Sequence, residues 1–177
     1  MGSPKALLPW GGTSLLRHAA GRLSAAGLPP LCAGPRALAA AEGMAHVEDA
    51  PAGAGPLGGI AGALELCDAF VLAVDMPLLE AEEIRRILDA AQGGRQAVVP
   101  CIAGRWQPLA AYWPRSLRAP LRGYLAAGGR SVLGFLRQQP ATVLDEAALR
   151  ALEVVPGHLR GFNTPEEYEA LRLEAGT

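Results

Sequence analysis

Asp75 is the residue whose type and position most clearly suggest chemistry. It directly follows an apolar run, Phe70-Val71-Leu72-Ala73-Val74, and precedes Met76-Pro77. A continuous run rich in Val and Leu predicts a strand buried on both faces, as in the middle of a parallel sheet. Ligands of open α/β sheets bind outside the carboxyl ends of the strands. The Asp75 carboxylate is therefore placed to hold a hard cation such as Mg2+, together with water and substrate phosphates. The alternative is that Asp75 only caps the helix that follows.

Two more charged residues stand at suggestive positions. Lys5 lies just ahead of Leu7-Leu8, which could hold the stem of the lysine while its ammonium reaches a polar site, although a lone lysine is usually a surface residue. Asp49 ends a predicted short strand and opens a glycine-rich loop, residues 49–59, ahead of a predicted helix. Glycines at such a position let backbone amides approach a ligand closely. The loop lacks the GxxxxGK[ST] pattern of a P-loop, and an ordinary turn is the other interpretation.

Composition limits the class of protein. The 177 residues, half of them hydrophobic, predict a single domain spanning 1–177. A net charge of −1 provides no global field that would recruit nucleic acid or an anionic membrane. Three widely spaced cysteines indicate buried thiols in a reducing compartment. We expect a soluble, cytoplasmic protein, since neither a signal peptide nor an apolar run of membrane-spanning length is apparent.

The elements that must position these residues alternate along the chain. Helical periodicity is predicted for residues 13–23, 36–42, 60–67, 80–91, 114–127, 131–136 and from 165 onward. Short strands are predicted near residues 31–33, 46–48, 70–74, 97–99, 142–144 and 153–155, and residues 105–113 form an antiparallel hairpin with the strand before them. This order predicts an α/β domain with a mostly parallel central sheet.

Several separated motifs then agree with one family. Lys5 with Leu7 and Leu8 fits the end of an opening pattern LAGGxSxRMGxxK, Asp49 to Gly59 fits an acidic loop with GPLxG, and Val74-Asp75-Met76-Pro77 fits a CDMP-like metal strand. Three more matches are Gln107-Pro108-Leu109, Gly129-Arg130-Ser131-Val132 and Asn163 to Glu167. Together they resemble the molybdenum cofactor guanylyltransferase family, which makes molybdopterin guanine dinucleotide.

The resemblance implies a three-layer, Rossmann-like nucleotidyltransferase fold and transfer of GMP from GTP to the molybdenum cofactor with release of pyrophosphate. It implies catalytic roles for Lys5 and Asp75, with Mg2+ held by Asp75. The nucleotide would be bound by Lys5, Asp49, Gly55, Pro56, Leu57, Gly58 and Asp75, and the acceptor by Arg130 and Asn163. GTP and the molybdenum cofactor are the expected partners, with transient contacts to proteins that make or accept that cofactor.

Two departures from the family pattern leave alternatives open. The family's first strand and its LAGGxSxR loop have no counterpart, so we expect an N-terminally incomplete domain whose start lies farther upstream, a true truncation being the alternative. Cys32 stands where the family has an asparagine. Cytidylyl transfer to the same cofactor and a non-catalytic nucleotide- or pterin-binding protein remain the competing functions.

Overall fold

Nine short strands and eight α-helices occur within residues 5–177, the part of the chain that the computed structural model describes. The strands are β1 (Pro9–Trp10), β2 (Thr13–Ser14), β3 (Cys32–Ala33), β4 (His46–Val47), β5 (Ala69–Leu72), β6 (Ala97–Ile102), β7 (Arg105–Trp106), β8 (Ala110–Trp113) and β9 (Ala141–Leu144). The helices are α1 (Leu15–Ala25), α2 (Arg36–Ala41), α3 (Pro56–Leu66), α4 (Ala81–Ala91), α5 (Arg118–Ala126), α6 (Val132–Leu136), α7 (Glu146–Ala151) and α8 (Pro165–Ala175).

The largest sheet has the order β5-β8-β6-β7, with β9 beside β6. Strand β8 is antiparallel to both β5 and β6, while β9 is parallel to β6, so β5, β6 and β9 run in one direction. Strands β6 and β7 form the predicted antiparallel hairpin. Strands β3 and β4 form a separate parallel pair, and β1 and β2 a small antiparallel pair. The predicted α/β class is confirmed.

The sheet separates two hydrophobic clusters and thereby creates three layers. Alternate residues of β6 and β8 point to opposite faces, as the two-residue period of a strand requires. One face packs on α3, α5 and α6, with Trp113 and Phe135 stacked in its centre. The other face packs on α4 and α7, through Ile84, Ile87 and Leu149.

The predicted strand at residues 70–74 forms, but its neighbours in the sheet differ from those predicted. It is shortened to β5, and its hydrogen-bonded partner within residues 5–177 is the antiparallel β8 rather than two parallel strands. The reason is the β6–β7–β8 excursion, which returns the chain between β5 and β6. The predicted strand at residues 153–155 is wrong. Glu153 adopts a left-handed conformation with φ of 54°, and the Val155 amide donates to the buried Glu83 carboxylate instead of to a strand.

Local capping explains where several helices begin. Helix α8 starts with Thr164 and Glu167 in a reciprocal capping box and Pro165 in the first turn, as the sequence predicts. Helix α1 is capped by the Ser14 hydroxyl, which accepts from the Arg17 amide, one residue later than the predicted Thr13. None of the helices within residues 5–177 is both long enough and apolar enough to cross a bilayer.

Candidate functional site

Lys5 lies at the centre of a cluster of oxygen atoms. Its Nζ is 3.3 Å from Asp75 Oδ2, 2.6 Å from the Phe162 carbonyl oxygen and 3.1 Å from Asn163 Oδ1. The ammonium also sits 5.1 Å from the centre of the Phe162 ring. Its three N–H donors therefore have three acceptors, which places the positive charge at a defined point.

Asp75 reaches this point from the carboxyl end of β5. The chain turns at residues 74–75, and the side chain stays about one quarter exposed, at 26%. Gly161 lies directly behind it, because a Cβ built on that glycine would be 3.3 Å from the Asp75 carbonyl oxygen and 3.5 Å from its carboxylate. A larger residue at 161 would therefore press on the carboxylate.

Asn163 belongs to the segment that enters α8. Its backbone amide donates to Glu167 Oε2 at 2.6 Å, which fixes the residue just ahead of the helix. Phe162 beside it is fully buried against Tyr168, with ring centres 5.1 Å apart. The structure therefore brings three predicted site residues together from distant parts of the sequence, namely Lys5, Asp75 and Asn163.

Asp49 and the glycine-rich loop border an apolar cavity of about 550 Å3, and Asp75 borders the same cavity. Gly55, ahead of α3, has φ of 60° and ψ of −148°, a conformation that favours glycine. A Cβ on Gly58 would lie 2.9 Å from the Pro51 carbonyl oxygen and 3.1 Å from Asp49 Cβ, so the glycine allows α3 to approach Asp49 closely.

The remaining loop residues differ in what they can offer a ligand. Gly55 and Pro56 are exposed and line the cavity. Leu57 has no exposed surface and packs in the core beside Leu64, so it supports the loop without facing the cavity. The Gly58 amide is already used, since it donates to the Gly55 carbonyl oxygen at 2.9 Å.

Arg130 is engaged elsewhere. Its Nη1 donates to the Leu125 carbonyl oxygen in the last turn of α5 at 3.1 Å and to the Gly129 carbonyl oxygen beyond that helix at 2.7 Å. None of its hydrogen bonds within residues 5–177 joins it to Lys5, Asp75 or Asn163.

The donor set suits a hard cation that keeps most of its own water. Among residues 5–177, no group of three or more His, Cys, Asp or Glu side chains is arranged to hold a metal. A closed zinc or calcium cage is thus not formed by that part of the chain. One carboxylate, supplemented by water and phosphate oxygens, is the mode in which Mg2+ usually binds, and Asp75 fits it.

Two contributors to the site were not identified from the sequence. The Phe162 carbonyl oxygen accepts from Lys5, but a backbone acceptor leaves no sequence signature. His18 supports the loop after Asp75, because its Nε2 is 2.8 Å from the Pro77 carbonyl oxygen. Burial lowers the pKa of His18, which favours the neutral imidazole as that donor.

Comparison with known proteins finds relatives that belong to one family. A family model described as the MobA-like NTP transferase domain matches residues 1–143. The chain is 33% identical over 151 residues to a protein of Rhizobium johnstonii named molybdenum cofactor guanylyltransferase, covering 80% of this chain and 71% of that one. It is 31% identical over 183 residues to a probable molybdenum cofactor guanylyltransferase of Opitutus terrae, covering 97% and 88%.

Solved structures share the fold. Molybdopterin-guanine dinucleotide biosynthesis protein A from Archaeoglobus fulgidus superposes with a TM-score of 0.83 at 20% identity, covering 99% of this chain and 92% of that one. A manganese complex of Rv0371C from Mycobacterium tuberculosis superposes with a TM-score of 0.63 at 19% identity, covering 97% and 92%.

Proposed function

Because the chain belongs to the MobA-like NTP transferase family, we propose that it transfers GMP from GTP to the molybdenum cofactor, forming molybdopterin guanine dinucleotide and releasing pyrophosphate. The two relatives described above are named molybdenum cofactor guanylyltransferase and probable molybdenum cofactor guanylyltransferase. The observation that carries the proposal is the convergence of Lys5, Asp75 and Asn163 beside a cavity bordered by Asp49 and a glycine-rich helix start.

The reaction forms a bond between a terminal phosphate oxygen of the acceptor and the α-phosphorus of GTP, and breaks the bond to pyrophosphate. The protein has little covalent work to do, so positioning and charge neutralisation dominate. The Lys5 ammonium would donate to nucleotide phosphates, exchanging one of its three present acceptors for them. Asp75 would hold Mg2+, which supplies positive charge against the phosphate oxygens when it is bound.

The nucleotide would lie along the loop from Asp49 to Gly58. The support for this placement is the exposure of Gly55 and Pro56 on the cavity, and the close approach of Asp49 to Gly58. Leu57 would act by anchoring the loop through its buried side chain. The acceptor would lie on the side of Asn163, and Arg130 could join it only by leaving the Leu125 and Gly129 carbonyl oxygens.

The proposal includes a cytoplasmic location. Its support is chemical: Cys32, Cys67 and Cys101 are free thiols, which are typical of reducing compartments. Transient contacts with proteins that make or accept the cofactor stay a prediction.

The test is a product assay with purified protein, Mg2+ and molybdenum cofactor, comparing GTP, CTP and ATP. Of the three nucleotides, we expect only GTP to give pyrophosphate release and a dinucleotide product. Chelation of the metal should abolish both. A cytosine dinucleotide formed at equal rate would replace the proposal by cytidylyl transfer. Binding of nucleotide without any product would favour a non-catalytic binding protein.

A further inference from the structure

Glu83 is the one charged residue that lies buried within residues 5–177. It stands in the first turn of α4, where acidic side chains favour the helix terminus and usually stay in contact with water. A carboxylate taken out of water is costly unless its oxygens are hydrogen-bonded. The burial of Glu83 therefore depends on donors that other parts of the fold supply.

Each oxygen of Glu83 accepts a backbone amide from a different segment of the chain. Oε2 accepts from the Glu80 amide at 2.9 Å, and Oε1 accepts from the Val155 amide at 2.8 Å. His158 Nδ1 lies 3.0 Å from Oε2 and 3.1 Å from Oε1, so it faces both oxygens at once. We call the contacts of Glu83 with Glu80, Val155 and His158 the Glu83 bridge.

The first segment held by the Glu83 bridge is the loop between β5 and α4. It starts at Asp75 and ends at Glu80, which caps α4. Between them, Leu79 is buried in the core, and the Pro77 carbonyl oxygen lies 2.8 Å from His18 Nε2. Because the loop is short and anchored, a shift of Glu80 bears directly on Asp75.

The second segment, residues 155–163, carries two of the three acceptors of Lys5. Phe162 has no exposed surface, which fixes this segment in the core just ahead of α8. The two segments meet a second time where Gly161 lies against Asp75. The Glu83 bridge therefore joins, at a point removed from the oxygen cluster, the same two segments that form the cluster.

We propose that Glu83 is a positioning residue for nucleotide transfer, whose carboxylate sets the position of Asp75 relative to the acceptors of Lys5. In the proposed reaction Asp75 holds Mg2+ and Lys5 contacts phosphate, and a misplacement of about 1 Å between such groups can cost on the order of a hundredfold in rate. This catalytic consequence rests on the proposed function. The effect on the surroundings of Lys5 does not, because it is a property of the free protein.

Glu83→Gln is the central variant, because it preserves the size of the side chain but leaves one carbonyl oxygen for two backbone amides. One side of the Glu83 bridge must break, whichever way the new amide group is turned. We expect kcat to fall by about tenfold to a hundredfold while the KM for GTP changes by less than about threefold, since misplacement acts mainly on the reacting centre.

Lys5 provides a readout that needs neither nucleotide nor metal. It is the single lysine of the sequence, so lysine labelled with 15N at Nζ gives one ammonium signal in nuclear magnetic resonance. That signal should shift in Glu83→Gln, because the Phe162 carbonyl oxygen and Asn163 move relative to the ammonium. A carboxylate that only stabilised α4 would lower the melting temperature without changing the signal.

Val155→Pro breaks the Glu83 bridge from its other end. The φ of Val155, −79°, suits proline, whose ring replaces the amide hydrogen that Glu83 accepts. It should change kcat and the Lys5 signal as Glu83→Gln does, and the double variant should be little worse than the more impaired single one, because both changes act on one contact. Val155→Ala is the matched control: it keeps the amide, removes only an exposed side chain and should behave like wild type.

The outcomes separate this inference from the proposed reaction. Normal kcat and an unmoved Lys5 signal in folded Glu83→Gln would overturn the inference and leave the proposed function intact, as would full additivity in the double variant. A Lys5 signal that moves in both single variants of a protein that transfers no GMP would support the bridge and refute the proposed function. If Glu83→Gln does not fold, Val155→Pro compared with Val155→Ala decides by the same two measurements.

Discussion

At the scale of single residues, Lys5 is the most constrained cation of the candidate site. It is the only lysine in the sequence, whereas fifteen arginines make up the rest of the basic residues. A compact ammonium can serve three oxygens that converge from different directions, which the planar arginine fork does less well. In the free protein the ammonium occupies a position among oxygens that also suit a metal ion.

Asp75→Asn should lower the rate of nucleotide transfer by about a hundredfold or more, because an amide is a poorer ligand for Mg2+ than a carboxylate. The melting temperature should change little, since the side chain is partly exposed and isosteric with its replacement. Steady-state turnover and thermal unfolding would measure the two effects. Asp89→Asn, at an exposed position of α4, is the control that should retain full activity. Normal turnover of Asp75→Asn at ordinary Mg2+ would rule out Asp75 as the metal ligand.

Lys5→Met should strengthen the binding of Mn2+ and weaken the binding of GTP. Binding of Mn2+ alone should tighten by a few fold, because no ammonium competes for Asp75, the gain being limited by solvent screening of a partly exposed pair. Binding of GTP should weaken by about tenfold or more, because a charge-assisted hydrogen bond to phosphate is lost. Electron paramagnetic resonance measures the Mn2+ affinity, and calorimetry measures the GTP affinity. Arg17→Met, which removes an exposed charge of α1, is the control. Unchanged Mn2+ affinity in Lys5→Met would mean that the ammonium and the metal do not compete.

At the scale of elements, α3 is held against β3 and β4 by small residues. A Cβ on Gly59 would lie 2.6 Å from Ala33 Cβ, and a Cβ on Gly62 would lie 2.0 Å from the Glu48 carbonyl oxygen. The glycines therefore do more than make a turn: they set the distance between the helix and the strand ends that carry Asp49.

Gly62→Ala should destabilise the protein by about 1–3 kcal/mol, because the added methyl group meets backbone that cannot move without separating α3 from β4. Denaturant unfolding measures this. Gly21→Ala is a matched control in another helix, where a Cβ meets nothing within 4 Å. It should be neutral or stabilising by about 0.5–1 kcal/mol, since alanine favours helix more than glycine does. Similar free energies of unfolding for the two variants would show that α3 can move away from β4 without loss of stability.

The helices α4 and α8 could be predicted from the sequence, whereas the partners of β5 could not. Periodicity and capping residues were sufficient to predict α4 and α8, because those signals are local. Partners of β5 were not predictable in the same way, since an apolar run is the same whether its neighbour is parallel or antiparallel. Motif positions predicted that Lys5, Asp75 and Asn163 share a function, but the role of Phe162 depends on a carbonyl group that any residue would supply.

At the scale of the whole molecule, Tyr112 links stability to alkaline pH. Its hydroxyl donates to Asp68 Oδ2 at 3.1 Å, and burial, followed by the hydrogen bond and charge of Asp68, raises its pKa from 10.0 to about 12. Tyr112 keeps its proton in the folded chain at a pH at which the unfolded chain releases it. Its contribution to stability is therefore complete below about pH 10 and is lost as the pH rises toward about 12.

The free energy of unfolding should accordingly fall between these two pH values. Tyr112→Phe should flatten that part of the stability profile, while Tyr124→Phe, which removes a hydroxyl bonded to the Ser131 carbonyl oxygen, should preserve the fall. Urea titrations across the alkaline range, with tyrosinate absorbance recorded in parallel, give the measurement. An equal slope in wild type and Tyr112→Phe would assign the alkaline loss of stability to other groups.

The three contacts of Lys5 also bear on how the protein is made. Its carbonyl partner Phe162 lies 157 positions later in the chain. A ribosome adds roughly 5–20 residues per second, so Lys5 waits for on the order of ten seconds or more before that partner is synthesised. Most strands and helices can form during this interval, but the oxygen cluster cannot. The contacts that fix the Lys5 ammonium are therefore completed only at the very end of synthesis, when the final helix leaves the ribosome.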